Sequence, residues 1–387
     1  MERKKLKPNV SKIAATRRDF LRFAGAGAAG MALGVAAGRY AWIPSPPPAT
    51  MVRTETVTRT VAEIATETLS YPSSLRAAAE AGGLLIGSFA DETSLKDDLF
   101  RSTLTREFNC LTASISWGQI HGEDYEDPDT IVKFASEHQM KVTGHALISR
   151  LDVPAWVSPQ ISTSELQQAM RKYIHDDVAH YRGKVHRWIV VNEAVDDEGL
   201  RKTIILEKLG EDYIAEAFRL AHEADPSALL FYNDYDAEAA GGYQKVKSDR
   251  VYELVKKLVK DGVPIHGVGL QMHLFVVEYP KPEDIAANVR RLAALGLKVS
   301  ITEMDVRVKD VPLDMNERLE MQRRVYHDVI AACIKEEGFM GVTFWGFTDA
   351  HSWINDVGQG PDYPLLFDEN YQPKPAYWGV MDALLGR

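Results

Sequence analysis

From residue 71 onward the chain repeats one beat eight times: a short apolar run rich in β-branched residues, then a longer stretch. The runs are GLLIGSFA (83–90), FNCLTASI (108–115), KVTGHALI (141–148), HRWIVVNE (186–193), LLFYNDYD (229–236), GVGLQMHL (267–274), KVSITEMDV (298–306) and GVTFWGFT (341–348). Between them, apolar residues recur at helical spacing over 164–180, 213–224, 248–261, 283–295 and 315–337. Strands alternating with helices build parallel βα units. Eight such units in roughly 300 residues have the count and size of a closed (β/α)8 barrel. An open doubly wound sheet is the rival architecture. It would carry a Gly-rich phosphate turn after its first strand, and none follows residues 83–90.

A barrel of this kind places its chemistry at the C-terminal ends of the strands. Those ends carry His145, Asn192 and Glu193, Asn233, Asp234 and Tyr235, Gln271 and His273, Glu303 and Asp305, and Trp345. The strand starts read as apolar, so polar and aromatic groups are expected to gather at one rim. A single histidine or asparagine near a strand end is commonly a satisfied core residue; the shared placement is what marks these as a site.

Composition narrows the function. Fifty-five acidic residues against 45 Lys and Arg give a net charge of −10, and the basic cluster lies within the first 22 residues, so no nucleic-acid partner is expected. Cys110 and Cys333 are the two cysteines, both in apolar runs, and read as buried free thiols. A metal-dependent hydrolase would want at least three converging ligands, often with a His-x-His on one strand. No such pair occurs, and neither a metal nor another cofactor is expected.

The first 70 residues stand apart. Residues 1–43 hold a basic stretch with Thr16-Arg17-Arg18-Asp19-Phe20-Leu21, followed by a weakly apolar Gly/Ala-rich segment. This resembles a twin-arginine export signal and implies an extracellular, periplasmic or cell-surface protein. No clear small-x-small cleavage site precedes Trp42, so the segment is a candidate anchor, and any membrane contact is expected through it alone. Residues 44–70, rich in Pro, Thr and Glu, read as a polar linker, leaving 71–387 as the catalytic barrel.

Glu193 ends the fourth run and Glu303 lies near the end of the seventh; in an eight-stranded barrel these strands face each other across the mouth. Two converging carboxyls are the minimal equipment for cutting a glycosidic bond, one as acid and the other as nucleophile or base. The apolar Trp188-Ile189-Val190-Val191 before Glu193 suggests surroundings that disfavour its charged form, while His273 and Asp305 are polar company for Glu303. WIVVNEA resembles the acid/base signature, and SITEMDV the nucleophile signature, of glycoside hydrolase family 10, the retaining β-1,4-xylanases. GHALISRLDVPAWV, LLFYNDYDAE, GVGLQMHL, TFWGFTDAHSWI and PLLFDENYQPKPAYWGV are similar to further blocks of that family, in its order, over residues 84–381. The resemblance implies a polysaccharide or oligosaccharide substrate and a covalent glycosyl-enzyme. It makes Glu193 the acid/base, Glu303 the nucleophile, and Asn192, His273 and Asp305 their supports. His145, Asn233, Tyr235, Gln271, Trp345 and Trp353 would bind substrate.

The chain also departs from the family pattern. The family's second strand ends in Thr-Pro-Glu-Asn-Glu-Met-Lys-Trp, which grips the non-reducing sugars; here the chain reads Thr112-Ala113-Ser114-Ile115-Ser116-Trp117-Gly118-Gln119. Ser149-Arg150 replaces a Trp-His pair, Ile189 an Asp, and Asp236 an Asn. Arg150 reads equally as a solvated surface cation and as a ligand contact. The departures suggest, as the alternative, a retaining glycosidase of the same fold acting on a different or decorated β-glycan or on a short oligosaccharide. A non-catalytic carbohydrate-binding relic is the rival from another class.

Overall fold

The computed structural model describes residues 71–118, 125–150, 152–356 and 361–387. The export-signal and linker readings, and Gln119, lie outside the described residues. The eight expected runs form β1 (Leu85–Ala90), β2 (Cys110–Ser114), β3 (Lys141–Ser149), β4 (Arg187–Asn192), β5 (Leu229–Asp234), β6 (Gly267–Leu270), β7 (Lys298–Arg307) and β8 (Phe339–Phe344). Each pairs in parallel with the next, and β8 pairs with both β7 and β1, which closes the sheet into a (β/α)8 barrel.

A helix follows every strand: α1 (Asp98–Glu107), α2 (Glu126–Glu137), α3 (Thr163–His180), α4 (Asp212–Ala224), α5 (Lys245–Lys260), α6 (Pro282–Ala293), α7 (Met315–Ile334) and α8 (Pro375–Leu384). The five helical spacings in the sequence correspond to α3 through α7. Two of these helices begin in full capping boxes, Ser162 with Glu165 and Asp314 with Glu317, so the orphan N–H groups of the first turn are satisfied locally. Cys110 and Cys333 are buried free thiols.

Two strand ends differ from the sequence reading. The sixth run stops at Leu270, because Met272 takes a left-handed φ of +64°; the chain then resumes at His273–Phe275, pairing only with the end of β7. This break lets His273 come level with Asp305. The eighth strand starts at Phe339 and ends at Phe344, so Trp345 lies just beyond it.

Close packing fixes the wall between β3 and β4. Trp188 is fully buried against Tyr181, and a Cβ at Gly144 would fall 2.4 Å from the Trp188 ring, a position no larger residue can share. Ile189, by contrast, packs with Ala146 and Phe231 in a small cluster separate from the main core.

The strand starts are not uniformly apolar, and this corrects the sequence expectation. Arg187 opens β4 and is only 2% exposed. Its guanidinium donates to Thr143 Oγ1 at 3.2 and 3.0 Å and to Ser300 Oγ at 2.8 Å, and lies over the Phe231 ring at 5.0 Å. Burial pushes this guanidinium below its ordinary pKa. Hydroxyl dipoles and a ring face solvate the cation in place of water. Removing one such acceptor from a buried charge costs ~1.5–3 kcal/mol. Ser300→Ala is therefore expected to lower unfolding free energy by that amount in urea titrations, whereas Thr143→Ser, which keeps its hydroxyl, loses less.

Candidate active site

Glu193 follows β4 with a left-handed φ of +58°, a conformation that costs a non-glycine residue ~1–3 kcal/mol and persists only when its surroundings enforce it. Here its N–H donates to Asn233 O at 2.9 Å, and its carbonyl accepts from Arg201 Nε at 3.1 Å. The kink turns the side chain toward a ring of amides. Gln271 Nε2 donates to Glu193 Oε1 at 3.1 Å and to Asn192 Oδ1 at 3.3 Å, and Asn192 Nδ2 reaches Glu193 Oε1 at 3.4 Å.

The same ring reaches the second carboxylate. Asn233 Nδ2 donates to Asn192 Oδ1 at 2.8 Å and to Glu303 Oε1 at 2.7 Å, while Thr302 Oγ1 donates to Asn233 Oδ1 at 2.6 Å. On the other side of Glu303, His273 Nε2 lies 3.2 Å from Oε2 and its Nδ1 lies 2.9 Å from Asp305 Oδ2. Burial opposes charge on this imidazole, but Asp305 and Glu303 outweigh it and raise its pKa well above the ordinary range. Its two carboxylate neighbours thus favour the charged form of His273. Trp353 Nε1 donates to Asp305 Oδ2 at 2.8 Å, so Asp305 orients both rings.

Glu193 does not meet the apolar environment that the residues before it suggested. Trp188 and Ile189 face other partners, and Arg150 donates its Nε to Glu193 Oε2 at 2.6 Å. Burial pushes the Glu193 carboxyl up, yet Arg150 and Gln271 more than offset it and hold the pKa below the usual carboxylate value. Arg150 is therefore neither a solvated surface cation nor an open ligand contact.

Several of the expected substrate-binding residues are engaged with protein groups. Asn233 is fully buried and its amide is committed to Asn192, Glu303 and Thr302, so it links the two carboxylates. Gln271, also buried, gives its amide nitrogen to Glu193 and Asn192. Tyr235 is half-buried: its hydroxyl accepts from Arg201 at 2.9 Å, and the ring lies 3.3 Å beneath the Lys247 ammonium. Lys247 is itself paired with buried Asp234 at 2.7 Å.

His145, Trp345 and Trp353 gather around Glu303 and Asp305. His145 Nε2 is 3.9 Å from Glu303 Oε1, too long for a hydrogen bond, and its ring meets Trp345 edge-on at 5.0 Å. Phe89, which the sequence reading did not single out, stacks on Trp345 with centroids 4.6 Å apart and takes up part of that stacking surface. Phe89 lies one residue before the β1 terminus, as a rim position should. Just after β2, Ser116 donates to Asp152 where the family's second-strand block has charged and amide groups. Among the described residues, no group of three or more His, Cys, Asp or Glu is placed to hold a metal ion.

The closed barrel and the two linked carboxylates at its C-terminal rim define the class, a (β/α)8 glycoside hydrolase. The sequence profile of glycosyl hydrolase family 10 matches residues 74–383. A β-1,4-xylanase of Dictyoglomus thermophilum is 38% identical over 301 residues, covering 73% of this chain and 84% of that protein. Endo-1,4-beta-xylanase B of Thermotoga neapolitana is 37% identical over 325 residues, covering 80% and 91%. Among solved structures, xylanase 10B from Thermotoga maritima superposes with a TM-score of 0.76 at 36% identity, covering 81% of this chain and 98% of that one. Xylanase 10B from Thermotoga petrophila RKU-1, solved with xylobiose, gives 0.77 at 34% identity, covering 82% and 98%. The chain belongs to glycosyl hydrolase family 10.

Asp305→Asn tests the electrostatic coupling in this site. Losing the Asp305 charge should bring the His273 titration down toward the ordinary imidazole range, visible in 15N NMR of the ring. A charge-assisted hydrogen bond is worth ~1.5–3 kcal/mol, so kcat should fall roughly tenfold to a hundredfold.

Proposed function

We propose that this protein is a retaining endo-1,4-β-xylanase that works by double displacement. The observation that carries the reading is the amide ring joining buried Glu193 to buried Glu303 at the rim. Glu303 Oε attacks the anomeric carbon of the sugar at the cleavage point while Glu193, protonated, donates to the departing glycosidic oxygen. A glycosyl ester on Glu303 and a free reducing-end fragment result. Water then attacks the same carbon, Glu193 takes its proton, and the ester oxygen leaves, so configuration is retained. Asn192 is placed to donate its amide to the sugar's 2-hydroxyl, and the protonated His273 steadies Glu303. Trp345 and Trp353 offer ring surface to the sugars.

Product analysis by 1H NMR on xylo-oligosaccharides should show the β-anomer first, and an α-anomer as first product would overturn the mechanism. Glu303→Gln should abolish turnover. Glu193→Ala should slow substrates with poor leaving groups by ~10²–10⁴-fold and spare activated aryl glycosides at the glycosylation step.

Substitution of the second-strand block, together with Phe89 on Trp345 and Ser116 on Asp152, supports a decorated xylan as the preferred substrate. Binding energy from distant sugars is what distorts the reacting ring, so a rebuilt grip lowers turnover on plain chains. Decorated xylo-oligosaccharides should therefore show the higher kcat/KM, and efficient cleavage of plain xylohexaose would sink the preference.

Export by the twin-arginine route is part of the same proposal and rests on Arg17-Arg18 with Phe20-Leu21. Arg17→Lys with Arg18→Lys should leave xylanase activity inside the cell upon fractionation; undiminished export would refute it.

A further inference from the structure

Arg150 occupies a place where the family pattern has a histidine, and it makes the shortest side-chain contact to the proposed acid/base, 2.6 Å from Nε to Glu193 Oε2. Both side chains are largely withdrawn from water, at 17% and 12% exposure, so solvent screens the pair little. The other groups facing Glu193 are the amides of Asn192 and Gln271, the more distant Lys247 of α5, and Asp234 of β5, whose charge Lys247 balances. Arg201 touches only its carbonyl. Glu303 and His273 lie beyond the amide ring. Arg150 is thus the cation in direct contact with the Glu193 carboxylate.

We propose that Arg150 is the positioning residue of the acid/base, pinning Glu193 as an anion in the free cleft so that leaving-group protonation is confined to more acidic solution. The inference rests on Glu193 being the acid/base. Protonation of Glu193 breaks the charge pair and frees the carboxyl to turn to the glycosidic oxygen. In the second step the same contact favours the anion that must accept the water's proton and then be regenerated as acid. Arg150 therefore hinders the first step at high pH and supports the second.

The sign of the test follows. The acid must be protonated for attack on a poor leaving group, so the alkaline limb of kcat/KM reports Glu193 in the free enzyme. An opposite charge at this range depresses a carboxyl pKa by ~1–3 units, and without it burial pushes the group up. In the full-length enzyme, Arg150→Gln should move the alkaline limb on xylotetraose upward by ~1 unit or more. Arg150→Lys, which keeps the charge, should stay closer to wild type. With a 2,4-dinitrophenyl β-xylobioside, which needs little protonation, the Arg150→Gln and wild-type limbs should coincide. A packing role alone would alter turnover without moving the limb. An unmoved limb in a folded Arg150→Gln enzyme overturns the proposal, as does an equal shift in Arg150→Lys. Should Arg150→Gln fail to fold, 13C NMR of glutamate-labelled wild type, assigned with Glu193→Gln, decides the matter: titration of Glu193 at or above the ordinary carboxylate range refutes it. If Glu193→Ala shows no leaving-group dependence, the acid/base reading itself falls. If that dependence holds and the limb does not move, only the role of Arg150 is lost.

Discussion

The site depends on one amide. Asn233, at the end of β5, donates from a single nitrogen to Asn192 on β4 and to Glu303 on β7, and Thr302 fixes its orientation through the carbonyl oxygen. An amide nitrogen has two hydrogens, and both are used. Because Asn233 is fully buried, losing either partner would strand a donor away from water. The two carboxylates are therefore held in mutual register by buried amides. Catalysis by two carboxyls needs that register, since it is their separation that decides between a direct attack and an intervening water.

Three cations of the barrel are compensated in three ways. At the bottom, Arg187 is solvated by the hydroxyls of Thr143 and Ser300 and by a ring face, with no carboxylate among those contacts. Behind the rim, Asp234 pairs with Lys247; burial works against the ammonium, but Asp234 outweighs it and keeps it charged. In the cleft, Arg150 pairs with a carboxylate that has to change protonation state for the reaction to proceed. The first two arrangements are static and serve the fold. The third couples a structural ion pair to chemistry.

Around Glu303 the two tryptophans of the rim are engaged by the protein itself. Trp353 spends its indole N–H on Asp305 and Trp345 gives ring surface to Phe89. Such sharing makes the walls rigid, which lowers the entropy lost on binding, and it also reduces the area left for a sugar. The chemistry is kept intact while the surroundings of the reacting ring differ from the family pattern.

Much of this was legible from the chain alone. Apolar strand runs and period-3.6 helices are local properties, so the eight beats, the closed barrel and its rim follow from spacing and motif. What the chain could not disclose is which side chains meet across it. Asn233 reads as one more polar strand-end residue until burial shows it sealed behind the carboxylates. Arg187 sits at the start of an apolar run, and only the inward side of a closed barrel makes it a buried cation. Arg150 and Glu193 directly follow the adjacent strands β3 and β4 but are 43 positions apart, so neither one's sequence neighbours record the other. The sequence determined the fold and placed the reacting groups at one rim, because periodicity and motif are carried by neighbouring residues. Only the tertiary structure decided their charge states, because electrostatic energy depends on distance and burial in space.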